Sequence, residues 1–245
     1  MATGDVQTIL FDAGNTLVHL DYAFIAELLA VHDHPRSPLD IRRAEYVARA
    51  AIDRALTPAM PSAARPEQLL WPGTTAPQPS YFDVALDALG VPADEIPAIV
   101  AALRAHNAEE CLWRVVEADT ADVLAELTAR GYTLGVISNA DGRIEADLAR
   151  LGLRRHFATV VDSHVVGVEK PDRRIFELAL ARLGVPPTAA LYVGDVFAID
   201  VLGARGAGLT PVLMDALACY PGPVDCLRIA RLAELLPLLP AQQRR

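Results

Sequence analysis

Lysine is nearly missing from this chain. Its 245 residues include 22 basic side chains, of which 21 are arginine, and Lys170 is the sole lysine. Chemistry that needs a side-chain amine, such as Schiff-base formation by lysine, is therefore excluded at every other side chain, because a guanidinium cannot take part in it. The 31 acidic residues leave a formal net charge of −9. A surface of that sign repels phosphate backbones, so we expect no nucleic-acid partner.

Cysteine, long apolar runs and early positive charge are also scarce. The three cysteines (Cys111, Cys219 and Cys226) are odd in number and lack CxxC spacing, which is typical of free thiols in a reducing compartment. No apolar run approaches the ~18 residues that cross a bilayer. The first basic residue is Arg36, too late for a secretory signal. The sequence therefore predicts a cytoplasmic protein without a membrane partner, and it assigns no oligomeric state.

Short apolar runs that end in small or polar residues recur, mostly in the second half of the chain. They are rich in β-branched and aromatic residues, as buried parallel strands tend to be, and segments with helical spacing separate them. This alternation predicts an α/β fold with a Rossmann-like, doubly wound parallel sheet. The predicted strands are Val6–Asp12, Tyr132–Ser138, Phe157–Asp162, Leu191–Asp195 and Leu209–Met214. The predicted helices are Asp122–Arg130, Ile144–Leu151, Asp172–Leu183, Ile199–Ala207 and a closing leucine-rich helix, Leu227–Leu239.

The interval after the first strand breaks this rhythm. It consists mostly of amphipathic stretches with helical spacing, and six prolines between residues 57 and 80 exclude a regular element there. We therefore predict an inserted all-helical domain over 18–114 and an α/β core made from 1–17 and 115–245. The predicted helices of the insert are Tyr22–His32, Asp40–Leu56, Tyr81–Leu89 and Asp94–Leu112.

Chemically useful side chains stand at the ends of several predicted strands. Asp12 ends the first strand, Ser138 the second and Asp195 the fourth, Asp200 follows five residues later, and Lys170 precedes a helix. The carboxyl ends of parallel strands meet at one edge of a sheet, where ligands collect. Converging carboxylates repel each other unless a cation lies between them, and hard oxygen ligands select Mg²⁺. With an ammonium and a hydroxyl added, the set predicts metal-assisted phosphoryl transfer.

The chain resembles the haloacid dehalogenase-like hydrolase superfamily in four motifs, which occur in the order FDAGNTL, VISNA, VEKPD and YVGDVFAID. The similarity covers about Val6 to Asp215, and the order and spacing are far more specific than any single motif. The insert resembles the helical C1 cap of that family. Such a cap would be expected to close over the site, exclude water and shape specificity.

The resemblance implies a role for each motif residue. Asp12 would be the nucleophile, and Ser138 and Lys170 would hold the phosphoryl group. Asn139 would add its backbone N–H as a phosphate donor. The metal ion would be held by Asp12, Asp195, the backbone carbonyl of Gly14 and Asp200, the last either as a ligand or just behind one.

Gly14 departs from the family's phosphatases, which carry a second aspartate there to protonate the leaving group and later activate water. General acid–base catalysis is typically worth ~10²–10⁴ in rate. Haloacid dehalogenases also lack this acid, but they lack the metal-binding aspartate too and usually carry tyrosine where this chain has Phe176. Phosphonatases need a cap lysine, and 18–114 contains none. His19 and Asp21 are the nearest titratable candidates to replace the acid.

The expected function is a Mg²⁺-dependent phosphatase that forms an aspartyl phosphate on Asp12 and acts on a small phosphorylated metabolite. Phosphoric monoesters with acidic leaving groups, such as aryl phosphates, and acyl phosphates should react best because Gly14 offers no acid. One alternative is a 2-haloacid dehalogenase-like hydrolase. The other is a catalytically degenerate domain that binds Mg²⁺ and phosphate without turnover, since a fold need not imply an activity.

Overall fold

The computed structural model describes residues 6–56, 81–218, 220 and 224–242. The proline-rich interval 57–80, which was expected to be irregular, and Cys219 lie outside these ranges. Within them, Cys226 is a free thiol, and no helix combines the length and the apolar character needed to cross a bilayer. Contacts along the chain define two compact units, one of Met1–His19 with Val116–Arg245 and the other of Leu20–Val115.

The strands form a large sheet and a small one. In chain order they are β1 (Thr8–Phe11), β2 (His19–Leu20), β3 (Trp113–Val115), β4 (Thr133–Ser138), β5 (Thr159–Asp162), β6 (Ala190–Gly194), β7 (Thr210–Met214) and β8 (Leu227–Ile229). Six of them form a sheet in the order β5-β4-β1-β6-β7-β8, and every neighbouring pair is parallel. From the central strand β1, the chain adds β4 and then β5 on one side of the sheet. It then crosses back and adds β6, β7 and β8 on the other side. This is the predicted Rossmann-like, doubly wound sheet, which is confirmed.

Helices alternate with the strands of the large sheet, and four helices lie in the described residues between β2 and β3. In chain order the helices are α1 (Tyr22–Val31), α2 (Pro38–Leu56), α3 (Tyr81–Ala88), α4 (Ile96–Glu109), α5 (Thr120–Ala129), α6 (Ile144–Arg150), α7 (Ser163–Val166), α8 (Arg173–Leu183) and α9 (Leu202–Gly206). Between β6 and α9 lies a short turn of π helix, Phe197–Val201. Such turns are frequent at functional sites.

Helix α8 shows how the sequence sets these elements. It begins after Asp172, whose carboxylate accepts the backbone N–H of Arg174, and it ends at Gly184, whose φ of +67° is in the left-handed region. Its buried side chains recur with helical spacing and join Leu10 and Tyr192 in one apolar cluster. The helix is thereby fixed on the face of the sheet.

The unit Leu20–Val115 has an apolar core of its own. Side chains of α1, α2, α3 and α4 meet there in a cluster that includes Ile25, Ile41, Leu86 and Ile99. Glu45 of α2 is buried within the unit and accepts hydrogen bonds from the hydroxyls of Tyr22 and Tyr81. A buried carboxylate needs hydrogen-bond donors. Because the two donors of Glu45 come from α1 and α3, these contacts link α2 to both helices.

The closing helix predicted over Leu227–Leu239 is wrong. Leu227–Ile229 forms β8, which pairs with β7 and becomes the edge of the large sheet. A single turn of 3₁₀ helix, Leu232–Leu235, follows. The open edge of β7 offered backbone partners that a sequence pattern cannot show. Pro237 also lacks the N–H that a continuing helix would need.

Candidate active site

The register of the sheet brings polar side chains to the carboxyl ends of β1, β4 and β6. Phe11 is level with Val136 of β4 and Val193 of β6. Asp12, Ser138 and Asp195 all follow within two residues of that level. The strand order reverses between β1 and β6, which is where ligands bind in open α/β sheets.

Three carboxylates converge at this edge. Asp12, Asp195 and Asp200 each offer an oxygen, and these oxygens lie within 4.8 Å of one another. All three residues are buried. Carboxylates held this closely in a dry site need a compensating cation, and a set of hard oxygen donors suits a divalent ion such as Mg²⁺. The donor set therefore fits the metal ion that the sequence predicts.

Lys170 supplies a positive charge to the same cluster. Its ammonium lies 2.6 Å from Asp12 Oδ1, 2.7 Å from Asp200 Oδ1 and 2.9 Å from the hydroxyl oxygen of Tyr192. These acceptors match the three N–H donors of a lysine. Burial alone lowers the pKa of Lys170, but the two carboxylates raise it by more, so its pKa lies above the ordinary value. The site thus contains a permanent cation at neutral pH.

Asp12 is an unusual carboxylate because it is almost fully buried. Burial raises its pKa, the Lys170 ammonium lowers it, and the Asp200 carboxylate raises it again, which together place the pKa of Asp12 at about 6. The group is therefore mostly ionised at neutral pH although it is poorly hydrated. A carboxylate in that condition is suited to nucleophilic attack.

Asp200 reaches this position because residue 194 is a glycine. A Cβ on Gly194 would lie 2.4 Å from Asp200 Cγ, so any larger residue would displace that carboxylate. The backbone N–H of Val196 donates to Asp200 Oδ2 at 2.9 Å, while Lys170 donates to the other oxygen. Asp200 is thus held from both sides, and the turn of π helix places it there.

Asn139 has a contact that sequence reasoning missed. Its side-chain amide donates to the carbonyl of Lys170 at 2.9 Å, and its side-chain oxygen accepts the N–H of Lys170 at 2.8 Å. The loop after β4 is therefore clasped to the segment that carries the ammonium. The expected backbone contribution of Asn139 to phosphate binding stays a prediction. Unlike that contribution, the clasp requires an amide side chain.

The loop after β4 is also held from β5, which the motif analysis did not include. Asp162 accepts the N–H groups of Gly142 and His164, each at 3.0 Å. The hydroxyl of Ser163 accepts the N–H of Ala140 at 3.1 Å. An Asp-Ser pair directly after an apolar strand is the sequence signal that could have located this support.

A sequence model of the family described as haloacid dehalogenase-like hydrolase matches residues 6–208. That range contains all four motifs and the side chains that converge at the sheet edge. The chain belongs to the haloacid dehalogenase-like hydrolase family. The resemblance found in the sequence is thus confirmed.

Relatives within this hydrolase family carry different names. Haloacid dehalogenase-like hydrolase domain-containing protein 3 of Homo sapiens is 38% identical over 135 residues, 53% of each chain. Glyceraldehyde 3-phosphate phosphatase of Methanothermobacter thermautotrophicus is 42% identical over 112 residues, 45% of this chain and 49% of the relative. The chain spans about half the length of the curated relatives it matches.

The fold is shared with solved structures of the family. A HAD phosphatase from Thermococcus onnurineus superposes with a TM-score of 0.59 at 21% identity and covers 98% of this chain and 100% of that chain. At this level of identity the likeness shows the fold alone, and the chemistry has to be argued from the side chains.

Gly14 lies in the loop that follows β1 and Asp12. It bridges to Val18 and is not among the glycines with positive φ, so its backbone does not require glycine. Of the two candidates to replace the acid, Asp21 accepts the N–H of Phe24 at 3.0 Å and caps α1. His19 is buried in β2. A catalytic role for either residue stays a prediction.

Phe176 is part of the core behind the site. It is buried in α8, and its ring meets that of Tyr192 edge to face with 5.1 Å between centroids. The tip of the Phe176 ring is close to Gly203, where an added Cβ would lie 3.0 Å from it. The hydroxyl that contacts Lys170 in this family member therefore comes from Tyr192 and not from position 176.

Proposed function

We propose that the protein is a Mg²⁺-dependent phosphatase that hydrolyses phosphoric monoesters or acyl phosphates of small metabolites through an aspartyl phosphate. The observation that carries the proposal is the cluster of Asp12, Asp195 and Asp200, whose oxygens lie within 4.8 Å, with the Lys170 ammonium bonded to Asp12. Catalysis of phosphoryl transfer depends mainly on a positioned nucleophile and on positive charge that stabilises the phosphoryl oxygens. The cluster supplies the first directly and the second through Lys170 and a site suited to a cation.

In the first step, a carboxylate oxygen of Asp12 forms a bond to phosphorus while the bond from phosphorus to the leaving oxygen breaks. The leaving oxygen keeps the electron pair of that bond. Lys170, the Ser138 hydroxyl and the Asn139 backbone N–H would donate to the phosphoryl oxygens. Asp12, Asp195, Asp200 and the Gly14 carbonyl would hold Mg²⁺, whose charge, when bound, stabilises the same oxygens.

In the second step, a water oxygen bonds to phosphorus and the bond to the Asp12 oxygen breaks. The electron pair returns to the carboxylate, inorganic phosphate leaves, and the proton lost by the water passes to solvent or to the phosphate. Gly14 supplies no base for this proton. Acyl phosphates of carboxylic acids are activated enough to react with water, and Lys170 remains beside Asp12 to offset the charge that develops.

The vacant acid position predicts a strong dependence on the leaving group. We expect kcat/KM for p-nitrophenyl phosphate to exceed that for an alkyl phosphate such as glycerol phosphate by ~10²-fold or more, the typical size of a general-acid contribution. Gly14→Asp should narrow this gap by accelerating the alkyl ester, because it restores a carboxyl group two residues after the nucleophile. Equal rates for the two esters in the wild type would contradict the proposal that no acid operates.

The activity itself is tested by phosphate release with and without Mg²⁺. We expect the wild type to release phosphate from p-nitrophenyl phosphate, EDTA to abolish this, and Asp12→Asn to lower kcat by at least ~10³-fold because the nucleophile is lost. The matched control is Asp225→Asn, which removes an exposed carboxylate that pairs with Arg205. It should leave kcat within ~2-fold of the wild type, since surface substitutions have small effects.

Two other functions have clear signatures in the same assays. A dehalogenase would release halide from 2-haloacids without Mg²⁺ and would release no phosphate. Gly14 is compatible with that reaction because halide leaves without a proton. Asp195 and Asp200 beside Asp12 count against it, because a divalent ion there has no task in halide displacement. A domain that binds Mg²⁺ but turns over no ester at high enzyme concentration would be the non-catalytic alternative.

The phosphatase name of the Methanothermobacter relative supports a small phosphorylated substrate. We assign the chemistry to the unit of Met1–His19 with Val116–Arg245, which contains every residue of the cluster. Substrate selection is assigned to the helical unit Leu20–Val115, in the role of the predicted cap. A cytoplasmic location is proposed with this activity.

A further inference from the structure

We propose that Tyr192 is a positioning residue that fixes the ammonium of Lys170, a role that rests on the phosphatase activity proposed above. Tyr192 lies in β6, is fully buried, and brings its hydroxyl oxygen 2.9 Å from Lys170 Nζ. Nζ also lies 5.5 Å from the centroid of the tyrosine ring, within the ~6 Å range of a cation–π contact, and Tyr192→Phe would keep that contact while removing the hydroxyl. None of the motif roles described above uses this side chain.

The hydroxyl has a defined direction. Its oxygen also lies 3.2 Å from the carbonyl oxygen of Ile137 and 3.2 Å from Asp200 Oδ1. A tyrosine hydroxyl has a single proton, so it donates to one of these oxygens while its own oxygen accepts from Lys170. Its position is set by β6 and by the edge-to-face contact with Phe176. Lys170 thus has an acceptor whose place is determined by the sheet.

The other two acceptors of the Lys170 ammonium are carboxylates that would also bind the metal ion. Asp12 and Asp200 belong to the carboxylate cluster, so a bound cation would share their lone pairs with the ammonium. Asp12 also loses its negative charge when its carboxylate becomes an acyl phosphate, and its attraction for Lys170 then weakens. The Tyr192 oxygen stays neutral through the reaction. It therefore keeps the ammonium in place while its bonds to the carboxylates change.

The single lysine makes this position directly observable. Protein labelled with ¹⁵N at lysine Nζ contains one side-chain ammonium, that of Lys170. We expect a resolved signal with slow hydrogen exchange in the wild type, because the group is buried and hydrogen-bonded. Tyr192→Phe keeps the ring and removes the hydroxyl, and it should accelerate exchange by ~10-fold or more, the usual weight of a hydrogen bond to a charged group.

The matched control is Tyr132→Phe. Tyr132 is also buried, and its hydroxyl donates to the Pro240 carbonyl at 2.8 Å, in contact with neither Lys170 nor the carboxylates. Its loss should leave the Lys170 signal and its exchange rate unchanged. Exchange that is equal in Tyr192→Phe and the wild type would overturn the positioning role, whatever the activity of the protein.

Turnover supplies the second measurement. For p-nitrophenyl phosphate we expect Tyr192→Phe to lower kcat ~10-fold with KM within ~3-fold, because the change affects charge stabilisation more than binding. Tyr132→Phe should keep both constants. If Tyr192→Phe exchanges the Lys170 ammonium hydrogens faster but keeps the wild-type kcat, Tyr192 positions the ammonium without contributing to the reaction, and the catalytic part of the proposal is overturned. If the wild type releases no phosphate, the phosphatase proposal fails, and the exchange measurement alone then decides whether Tyr192 fixes the ammonium.

Discussion

At the scale of single residues, the site combines charges that could not be buried separately. Lys170 is 2% exposed and Asp200 is 1% exposed. An isolated ion in such surroundings would shift its pKa and become neutral, whereas here each charge has partners of the opposite sign. Removing one partner from a buried pair typically costs ~3–5 kcal/mol. The stability of the sheet edge and its chemistry therefore depend on the same few side chains.

Gly194 gives the clearest prediction at this scale. Gly194→Ala would place a Cβ 2.4 Å from Asp200 Cγ, so Asp200 or the β6 backbone must move. We expect the free energy of unfolding to fall by ~1–3 kcal/mol, the usual cost of overpacking a core. Phosphatase activity should fall with it, because Asp200 is displaced from Lys170. Urea unfolding and p-nitrophenyl phosphate turnover measure the two effects.

The control for this prediction is Gly206→Ala. Gly206 is the last residue of α9, has no atom within 4 Å of an added Cβ, and does not have a positive φ. Alanine there should be neutral or stabilise by ~0.5–1 kcal/mol, because it restricts the unfolded chain. If both variants unfold at the same urea concentration, the close approach of Gly194 and Asp200 is not what holds the carboxylate.

At the scale of elements, the site is made by segments that follow separate strands and are tied to one another. The loop after β4 is clasped to Lys170 by Asn139 and supported from β5 by Asp162 and Ser163. Loops placed in this way carry function because the sheet beneath them is rigid. Position 170 is therefore fixed by hydrogen bonds between loops as well as by its own side chain.

Asn139→Ala tests this clasp. The variant removes two hydrogen bonds to the main chain of Lys170, and we expect a loss of ~1–3 kcal/mol of stability, since the N–H and C=O of residue 170 lose their partners. It should also lower kcat for p-nitrophenyl phosphate by ~10-fold through misplacement of the ammonium. Thermal unfolding and steady-state kinetics check these values.

Asn107→Ala is the matched control for the clasp. Asn107 is buried in the unit Leu20–Val115, where its side-chain oxygen accepts the N–H of Leu112 at 2.9 Å. Its loss should also reduce stability, but the signal of the labelled Lys170 ammonium should stay unchanged. An unaltered Lys170 signal in Asn139→Ala would show that the clasp does not set the position of the ammonium.

At the scale of the whole molecule, the chain is divided into two compact units, each with its own apolar cluster. The carboxylate cluster belongs entirely to the unit of Met1–His19 with Val116–Arg245. Anything that binds the folded cluster and not the unfolded chain must stabilise that unit by mass action. Metal binding is therefore measurable by unfolding, without any assay of activity.

We expect Mg²⁺ to raise the unfolding midpoint of the unit that contains Asp12. At ~100 times the dissociation constant the gain is about 2.7 kcal/mol, which corresponds to a shift of several degrees in a chain of this size. Asp195→Asn should abolish the shift because the cluster loses a charged oxygen donor. Asp225→Asn should retain it, since that carboxylate is exposed and pairs with Arg205. A shift of equal size in Asp195→Asn would remove Asp195 from the metal site.

The sequence by itself determined the class of fold and predicted which edge of the sheet carries the main candidate site residues. Apolar runs such as Val6–Asp12 and Leu191–Asp195 mark strands that lie between other strands, and their length and β-branched content are local properties. The parallel register then had to bring their carboxyl ends together. The sequence alone therefore predicts Asp12, Asp195 and Lys170 at one edge of the sheet, and the structure brings their side chains together there.

Only the tertiary structure decided what depends on contacts between distant segments. Leu227–Ile229 became a strand because the edge of β7 was open, although its leucine pattern favours a helix. Tyr192 lies within an apolar run, which gives no sign that its hydroxyl has a polar partner. The fold supplies that partner, Lys170, from 22 residues away in sequence. The side chain of Asn139 found its partner 31 residues away. Such pairings arise from packing across the sheet, which has no local signature in the chain.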